Sequence, residues 1–241
     1  IGRAVTLEVV QRGFTVAATT RRLDALEALA RLASGPGRVV AHVGDVRDAG
    51  RMAEIVDSIE RLHGPIALAF LNAGAAAYTQ PGRLDPEAVE DIYGVNVFGV
   101  ANALGPLLDR MTPRGSGQIA VNASLAGYRA LPRAAIYGSS KAALIHLVEA
   151  LRFDAEPRGV RLQIVNPGFV STPMTDRNDF PMPFLMEADV AARLICDGML
   201  RGDREIAFPR RLAMPMKAMR LLPRWLYDPV IRRLLRQRRK G

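Results

Sequence analysis

The sequence predicts an α/β fold in which a doubly wound, mostly parallel sheet lies between two layers of helices. Two observations predict it. Short apolar runs alternate along the chain with segments of helical period, and these runs are apolar nearly throughout, which is typical of strands covered on both faces. With 241 residues and neither repeats nor a low-complexity linker, the chain fits one domain, 1–241, in which 210–241 form a basic amphipathic C-terminal extension.

Strands and helices are predicted in strict alternation from residue 14 onward. Each strand prediction rests on a short apolar run, and each helix prediction on apolar residues that recur every three to four positions. The predicted strands are 14–19, 38–43, 66–71, 118–122 and 160–165. The predicted helices are 23–33, 48–63, 85–111 and 135–156, and residues 1–4 resemble the start of a further helix.

Polar or glycine-containing segments follow each of the five predicted strands. They are Thr20-Arg21-Arg22, Asp45, Asn72-Ala73-Gly74, Ser124 and Asn166-Pro167-Gly168. Because parallel strands end at the same edge of a sheet, these segments should lie together, and ligands bind at that edge in such folds. The sequence therefore predicts one binding cleft.

The positive charge of the chain is concentrated near its C-terminus. Residues 201–241 contain thirteen Lys/Arg and three Asp/Glu, whereas the whole chain has a formal net charge of +9. A nucleic-acid-binding enzyme would be expected to place basic residues around its cleft. Nucleic acid is therefore not an expected partner.

Cysteine and histidine usage excludes two classes of site. Cys196 is the single cysteine, so no disulfide can form within the chain, and the three histidines are scattered rather than clustered as in a metal site. No apolar run approaches the roughly 20 residues that a membrane-spanning helix needs, and no signal peptide is visible. The expected setting is reducing and cytoplasmic, with peripheral contact at the inner face of a membrane as the alternative.

Three residues form a candidate proton-transfer group. Tyr137 and Lys141 are four residues apart on a predicted helix, so their side chains share one face, and Ser124 lies upstream in Asn-Ala-Ser. A nearby ammonium favours the phenolate and lowers the phenol pKa from its ordinary value of about 10. Ser124 would hold the substrate oxygen by a hydrogen bond. The group predicts reduction of a carbonyl or oxidation of an alcohol.

Four motifs in order carry a family resemblance. Ser124 with Tyr-x-x-x-Lys at 137–141 resembles the catalytic residues of the short-chain dehydrogenase/reductase family, and Asn96 in Asn-Val-Phe-Gly resembles its fourth catalytic position. The segment 72–74 is similar to its Asn-Ala-Gly signature, and 167–174 is similar to the stretch around its nicotinamide site. The resemblance covers essentially the whole chain.

The resemblance implies a Rossmann-like three-layer αβα fold and an oxidoreductase that acts on CH–OH groups with NAD(P). It implies that Asn96, Ser124, Tyr137 and Lys141 are catalytic, with Asn96 positioning a relay water and Lys141 also binding the nicotinamide ribose. The implied cofactor contacts are Gly2, Thr20, Arg21, Arg22, Asp45, Val46, Asn72, Ala73, Gly74, Tyr137, Lys141, Pro167, Gly168, Val170 and Thr172. Asp45 beside Gly44 is also ordinary turn chemistry.

Residues 1–4 resemble the tail of the family's glycine-rich turn, with Gly2 as its last glycine. The first strand of the family's fold precedes that turn and is central in the sheet. The resemblance therefore implies that this strand is missing from the chain and lies upstream of Ile1, since its absence would leave buried backbone groups of neighbouring strands unpaired.

NADP(H) is the predicted cofactor, and NAD(H) is the alternative. An NAD site usually offers an acidic side chain to the adenosine ribose after the second strand of the fold. The segment 19–22 instead supplies two hydroxyls and the guanidiniums of Arg21 and Arg22, which suit the 2′-phosphate of NADP. The other interpretation is that these arginines solvate the start of a helix near Asp24.

The substrate is expected to be a hydrophobic small-molecule carbonyl or alcohol. Leu125, Ala126, Ala134, Phe169 and the apolar segment 180–186 are candidates for its binding region, or they pack under a long loop. The competing function is a non-catalytic NADP(H)-sensing protein on the same fold. The resemblance also implies a homodimer or homotetramer.

The C-terminal stretch interleaves apolar residues with arginines. The apolar residues are Leu221, Leu222, Trp225, Leu226, Tyr227, Ile231, Leu234 and Leu235. One interpretation is a helix that packs on the body of the protein or on a partner subunit with its arginines in water. The other is adsorption to an anionic membrane surface, which would suit a lipophilic substrate.

Overall fold

The computed structural model describes residues 1–77, 79 and 82–238, and for 234–238 it describes the backbone alone. Its α-helices, α1 to α9 in chain order, are Gly2–Gln11, Leu23–Leu32, Ala49–His63, Pro86–Tyr93, Gly99–Arg114, Ala135–Ala155, Ala188–Arg201, Arg210–Leu221 and Arg224–Arg238. Its strands, β1 to β6, are Thr15–Thr20, Arg38–Val43, Leu68–Leu71, Gly117–Asn122, Val160–Pro167 and Glu205–Phe208.

All paired strands are parallel, which confirms the predicted fold class. Strands β3, β4, β5 and β6 form one sheet in that order, and β1 pairs with β2 in another. The five predicted strands are all present, with ends within two residues of the predicted ones. Strand β6 was not predicted, because a run of four residues is too short to give a pattern.

Helices cover both faces of the larger sheet, and each face has its own apolar core. Ile119 of β4 belongs to a buried cluster with Leu104 of α5 and Leu144 of α6. Its neighbour Ala120 points to the opposite face, where it joins a cluster that includes Ile195 of α7. This alternation along one strand is the signature of a sheet buried on both faces.

The two sheets are separated by a cavity of about 1200 Å³, which is lined by all of β1 and all of β3. No hydrogen bonds join β1 to β3 within the described part of the chain.

The helix predicted over 85–111 is present as an uninterrupted helical run over 86–114, but it contains a π-helical turn that was not predicted. The chain forms α4, then a wide π-helical turn at Gly94–Phe98, and then α5. The turn places Asn96 inside the protein, where its side chain bonds to the backbone of Ala75. Sequence periodicity does not reveal such a turn, because the contact that stabilises it is distant along the chain.

The basic C-terminal stretch folds as the helices α8 and α9, which the structure describes up to Arg238. The side chains of Leu234 and Leu235 and all of residues 239–241 lie outside the described residues. Within the described part of the chain, no helix has the combination of length and apolar composition needed to cross a bilayer.

Candidate active site

The cavity reaches the carboxyl ends of β1 to β5, where the polar segments were predicted to meet. All but one of the predicted cofactor contacts line it. They are Gly2, Thr20, Arg21, Asp45, Val46, Asn72, Ala73, Gly74, Tyr137, Lys141, Pro167, Gly168, Val170 and Thr172. The exception is Arg22. Ser124 also lines the cavity, whereas Asn96 lies behind Gly74, at which a Cβ would come within 3.5 Å of Asn96 Oδ1. Whether these residues contact a cofactor stays a prediction.

Helix α6 places Tyr137 and Lys141 one turn apart on the wall of the cavity. Lys141 is only 3% exposed, and its Nζ donates a 2.8 Å hydrogen bond to the carbonyl oxygen of Asn122 at the end of β4. The same Nζ lies 5.8 Å from the centroid of the Tyr137 ring. The Lys141 ammonium therefore lies near the Tyr137 ring, as the spacing predicted.

Burial lowers the pKa of Lys141 from 10.5 to about 8. Removing an ammonium from water disfavours its charged form, and here desolvation is the cause of the shift. At neutral pH the lysine is still mostly protonated, so it can supply the positive charge that the tyrosine needs.

This shift predicts that the protein gains stability as the pH rises from 8 to 10. Below pH 8 the lysine is protonated in both states; above it the folded lysine loses its proton while the unfolded one keeps it, so unfolding is increasingly disfavoured. Between pH 8 and pH 10, we expect the free energy of unfolding to increase by about 2 kcal/mol more in the wild type than in Lys141→Met. Urea denaturation of both proteins without cofactor at pH 8 and pH 10 measures the difference, and parallel pH profiles would contradict the shift.

Asn96 braces the loop that follows β3. Its Oδ1 accepts a 2.7 Å hydrogen bond from the Ala75 amide, and its Nδ2 donates to the Ala75 carbonyl at 3.0 Å and to Ser140 Oγ at 2.9 Å. Ser140 Oγ in turn donates to the Tyr137 carbonyl at 2.7 Å. The asparagine thus links the β3 loop to the helix that carries Tyr137. Both of its amide hydrogens are used inside the protein, and the relay-water role stays a prediction.

Ser124 is positioned by a tight turn at Leu125–Gly127. Its Oγ accepts a 3.1 Å hydrogen bond from the Ala126 amide and donates to the Pro167 carbonyl at 3.4 Å. A Cβ on Gly127 would lie 2.8 Å from the Lys141 carbonyl carbon, so the turn packs directly on α6. This close approach brings the serine to the same cavity wall as Tyr137, and it requires glycine at 127.

Asn122 is a site residue that the sequence analysis did not identify. Its carbonyl accepts the Lys141 hydrogen bond, and its Nδ2 donates to Asn72 Oδ1 at 2.9 Å. Its own Oδ1 is buried and has no hydrogen-bond partner among the described residues. The lysine contact is made by a backbone carbonyl, which leaves no signal in the sequence. Ser140 was missed because it acts through Asn96, 44 residues away.

A polar cluster behind Ser124 joins the site to the C-terminal region. Tyr128 donates its hydroxyl hydrogen to Glu205 on β6, and Glu205 also accepts from Asn166 Nδ2 at 2.8 Å and from Lys217 Nζ at 2.6 Å. Burial raises the pKa of Tyr128, and the carboxylate of Glu205 adds to the rise. Burial would also raise the pKa of Glu205, but the bonds from Lys217, Tyr128 and Asn166 outweigh it and lower that pKa. The cluster is therefore a tyrosine that stays protonated beside a carboxylate that stays charged.

Arg21 and Arg22 make different contacts, and only Arg21 lines the cavity. Arg22 forms an ion pair with Asp24, in which its Nε donates to Oδ1 at 3.1 Å. Arg21 lines the cavity, with a nitrogen 3.8 Å from Asp45 Oδ2. Asp45 is bound more closely by Arg47, at 2.8 Å, and this hydrogen bond lowers the Asp45 pKa. The interpretation that an arginine pairs with Asp24 thus holds for Arg22.

None of the residues predicted for the substrate region lines the cavity. Leu125 is 2% exposed and belongs to the core, so the packing interpretation holds for it. Phe169 and Phe180 meet edge to face with ring centroids 6.0 Å apart. Pro173 and Met174, which precede the segment 180–186 in the chain, line the cavity, whereas 180–186 do not.

Comparison with known proteins gives consistent similarities. A family model described as short chain dehydrogenase matches residues 1–180. A protein of Myxococcus xanthus (strain DK1622), named as an uncharacterized oxidoreductase, is 40% identical over 235 residues, which cover 97% of this chain and 93% of that protein. The 3-oxoacyl-[acyl-carrier-protein] reductase FabG of Thermotoga maritima is 31% identical over 178 residues, 73% of this chain and 72% of that protein.

Among solved structures, an alcohol dehydrogenase from the archaeon Thermococcus sibiricus, complexed with 5-hydroxy-NADP, is similar to this chain with a TM-score of 0.76 and 25% identity. The match covers 86% of this chain and 90% of that one.

Proposed function

Because this chain belongs to the short-chain dehydrogenase family and is an oxidoreductase, we propose that it interconverts a secondary alcohol and a carbonyl with NADP(H). The observation that carries the proposal is the meeting of Tyr137, Lys141 and Ser124 on one cavity wall. Tyr137 can donate a proton to the oxygen atom of a bound substrate, and Ser124 can donate a hydrogen bond to the same atom. Lys141 supplies the positive charge that stabilises the phenolate.

Several features of the cavity suit a dinucleotide. Gly2 stands at the start of α1, where a Cβ would come within 2.5 Å of Asn72 Nδ2, so any larger residue would displace the Asn72 side chain. Helix starts of this kind bind phosphate groups. The buried Asn122 Oδ1 offers a hydrogen-bond acceptor, and Arg21 brings a cation to the carboxyl end of β1.

NADPH, when bound, supplies a hydride to the substrate carbon. In the proposed reduction Tyr137 donates its phenolic proton to the substrate oxygen, and Ser124 holds that oxygen by a hydrogen bond. Lys141 remains charged and stabilises the phenolate left behind, while the Asn122 carbonyl fixes its ammonium. Asn96 holds the backbone of Ala75 and, through Ser140, the first turn of α6. In the direction of oxidation the same tyrosine accepts the proton.

NADP(H) is preferred over NAD(H) in this proposal because Arg21 lines the cavity and has only a long, 3.8 Å ion pair with Asp45, which it can exchange for the 2′-phosphate. In addition, no acidic side chain directly follows β1. The alcohol dehydrogenase of Thermococcus sibiricus is complexed with an NADP derivative, which supports the same preference. A hydrophobic substrate is proposed because Pro173 and Met174 form part of the wall.

A homodimer or homotetramer is proposed as the working assembly. Two large aromatic side chains, Phe98 beside α5 and Phe153 on α6, are exposed on the surface of the chain. Exposed aromatic residues are enriched at contacts between subunits.

The proposal predicts that the purified protein oxidises NADPH when it is given a suitable ketone or aldehyde. A panel of short, aromatic and long-chain carbonyls, each assayed with NADPH and with NADH, should give turnover that is faster with NADPH. The matched assay with NADH separates the cofactor preference from the reaction itself. Binding of NADPH without turnover of any carbonyl, and without oxidation of the corresponding alcohols by NADP, would contradict an enzymatic function and favour a sensor.

A further inference from the structure

The C-terminal hairpin, defined as α8 with the described part of α9, has an inner face that packs beside the active site. Ala213 of α8 is buried in the main core. Tyr227 of α9 is buried as well and donates its hydroxyl hydrogen to the Ala130 carbonyl. The guanidinium of Arg129 lies 4.6 Å from the Tyr227 ring centroid and donates to the Leu222 carbonyl at 3.2 Å. A Cβ on Gly168, which lines the cavity, would lie 3.0 Å from Leu212 Cδ2 of α8, so the hairpin packs against one wall of the cavity.

The outer face of the same hairpin exposes large apolar side chains. Leu221 is 85% exposed and Trp225 is 75% exposed, and Leu226 and Val230 of α9 are each 40% exposed. An exposed tryptophan on an amphipathic helix is typical of residues that lie at the boundary between water and lipid. Packing against the body of the protein therefore accounts for one face of the hairpin and leaves the other without an apolar partner among the described residues.

The charge of the hairpin favours an anionic partner. Residues 210–233 contain seven Lys/Arg and one Asp. Within the described residues, Lys217 and Arg220 pair with Glu205 and Glu149 of the body. The remaining cations are exposed at Arg210, Arg211, Arg224, Arg232 and Arg233. A symmetric contact between two copies of this face would bring the two sets of arginines together, which disfavours self-association through it.

We propose that the outer face of the C-terminal hairpin docks on an anionic membrane surface. Trp225 and Leu221 enter the boundary between lipid headgroups and acyl chains, and the surrounding arginines bind the headgroups. The hairpin also packs against the cavity wall at Gly168, so docking holds the site close to the lipid. This arrangement indicates that the substrate is a lipophilic carbonyl or alcohol that reaches the cavity from the membrane. The substrate assignment rests on the proposed function.

Trp225 is the only tryptophan of the chain, so its fluorescence reports on this face alone. With vesicles that contain phosphatidylglycerol, its emission should shift to shorter wavelength and be quenched by lipids with brominated acyl chains. With vesicles of phosphatidylcholine alone, neither change should occur. An unchanged emission with the anionic vesicles, or equal changes with both kinds, would overturn the proposal. A shift that depends on protein concentration without lipid would overturn it in favour of a second copy.

A matched pair of variants separates a docking face from general positive charge. The double variant Arg224→Gln/Arg232→Gln should partition onto phosphatidylglycerol vesicles about 30-fold more weakly than the wild type, at roughly fivefold for each arginine near the surface. The control Arg31→Gln/Arg61→Gln removes the same charge from exposed positions on α2 and α3 and should change partitioning far less. Equal losses in both variants would overturn the assignment of this face. Circular dichroism confirms that each variant is folded.

The substrate assignment has a separate readout. With a short water-soluble ketone, Arg224→Gln/Arg232→Gln should match the wild type in kcat/KM; with a long-chain ketone held in phosphatidylglycerol vesicles, it should be at least tenfold slower. Equal rates on the vesicle-borne ketone would overturn the assignment. Absence of turnover with every carbonyl would instead overturn the proposed reaction, and the Trp225 fluorescence would still decide whether the hairpin docks.

Discussion

Replacing Tyr137 by phenylalanine should lower kcat by about 10²- to 10⁴-fold, the usual contribution of a general acid or base. The phenyl ring keeps the shape of the cavity wall but has no proton to give to the substrate oxygen. Lys141 would keep its hydrogen bond to the Asn122 carbonyl, because that bond does not involve the phenol. The affinity for NADPH should therefore stay within a few fold of the wild type. Steady-state turnover and fluorescence titration with NADPH measure the two effects separately.

Tyr93→Phe is the matched control for this experiment. It removes the same hydroxyl from α4, at a position that does not line the cavity, and should leave kcat unchanged. Near-normal turnover in Tyr137→Phe would contradict its assignment as the acid and base. A loss of NADPH binding as large as the loss of kcat would show that the hydroxyl holds the cofactor instead, and it would equally contradict the assignment.

The sheet and its functional edge could be predicted because both depend on local patterns. An apolar run followed by a polar residue gives both a strand and its carboxyl end, and parallel pairing then brings those ends together. Thr20, Asp45, Asn72, Ser124 and Pro167 accordingly line one cavity. The chain order of the strands is sufficient for this conclusion, and no side-chain contact has to be known.

The parts of the site that could not be predicted depend on contacts between distant segments. Asn96 was singled out by its motif, but the wide turn that holds it and its bonds to Ala75 and Ser140 arise only when the β3 loop, α5 and α6 pack together. The role of Asn122 comes from a backbone carbonyl, which every residue has. Glu205 lies on a strand too short to be recognised, so its bond to Tyr128 was not foreseen.

The C-terminal stretch illustrates a different limit. Packing and adsorption were treated as alternatives because apolar residues and arginines are interleaved along it. In the folded chain Tyr227 packs inward while Trp225 is exposed, so the first interpretation is correct for one face and does not exclude the second for the other. Two residues that are two positions apart face nearly opposite sides of a helix, and composition alone does not separate them.

Arg21→Asp is expected to weaken NADPH binding by about 10- to 100-fold, because a hydrogen bond to a charged group contributes about 1.5–3 kcal/mol. The new carboxylate would also repel the 2′-phosphate, whereas it could accept a hydrogen bond from the free ribose hydroxyl of NADH. The ratio of kcat/KM for NADPH to that for NADH should therefore fall by at least the same factor. Titration with each cofactor and assays with one ketone measure both quantities.

Arg22→Asp is the control that the structure provides. The two arginines are adjacent and carry the same charge, so a general electrostatic effect would be nearly equal for both. Arg22, however, pairs with Asp24 and does not line the cavity. Its replacement should change the cofactor ratio by no more than a few fold. If Arg22→Asp lowered the ratio as much as Arg21→Asp, the preference would come from the overall charge at the end of β1; if neither changed it, the 2′-phosphate site would have to lie elsewhere.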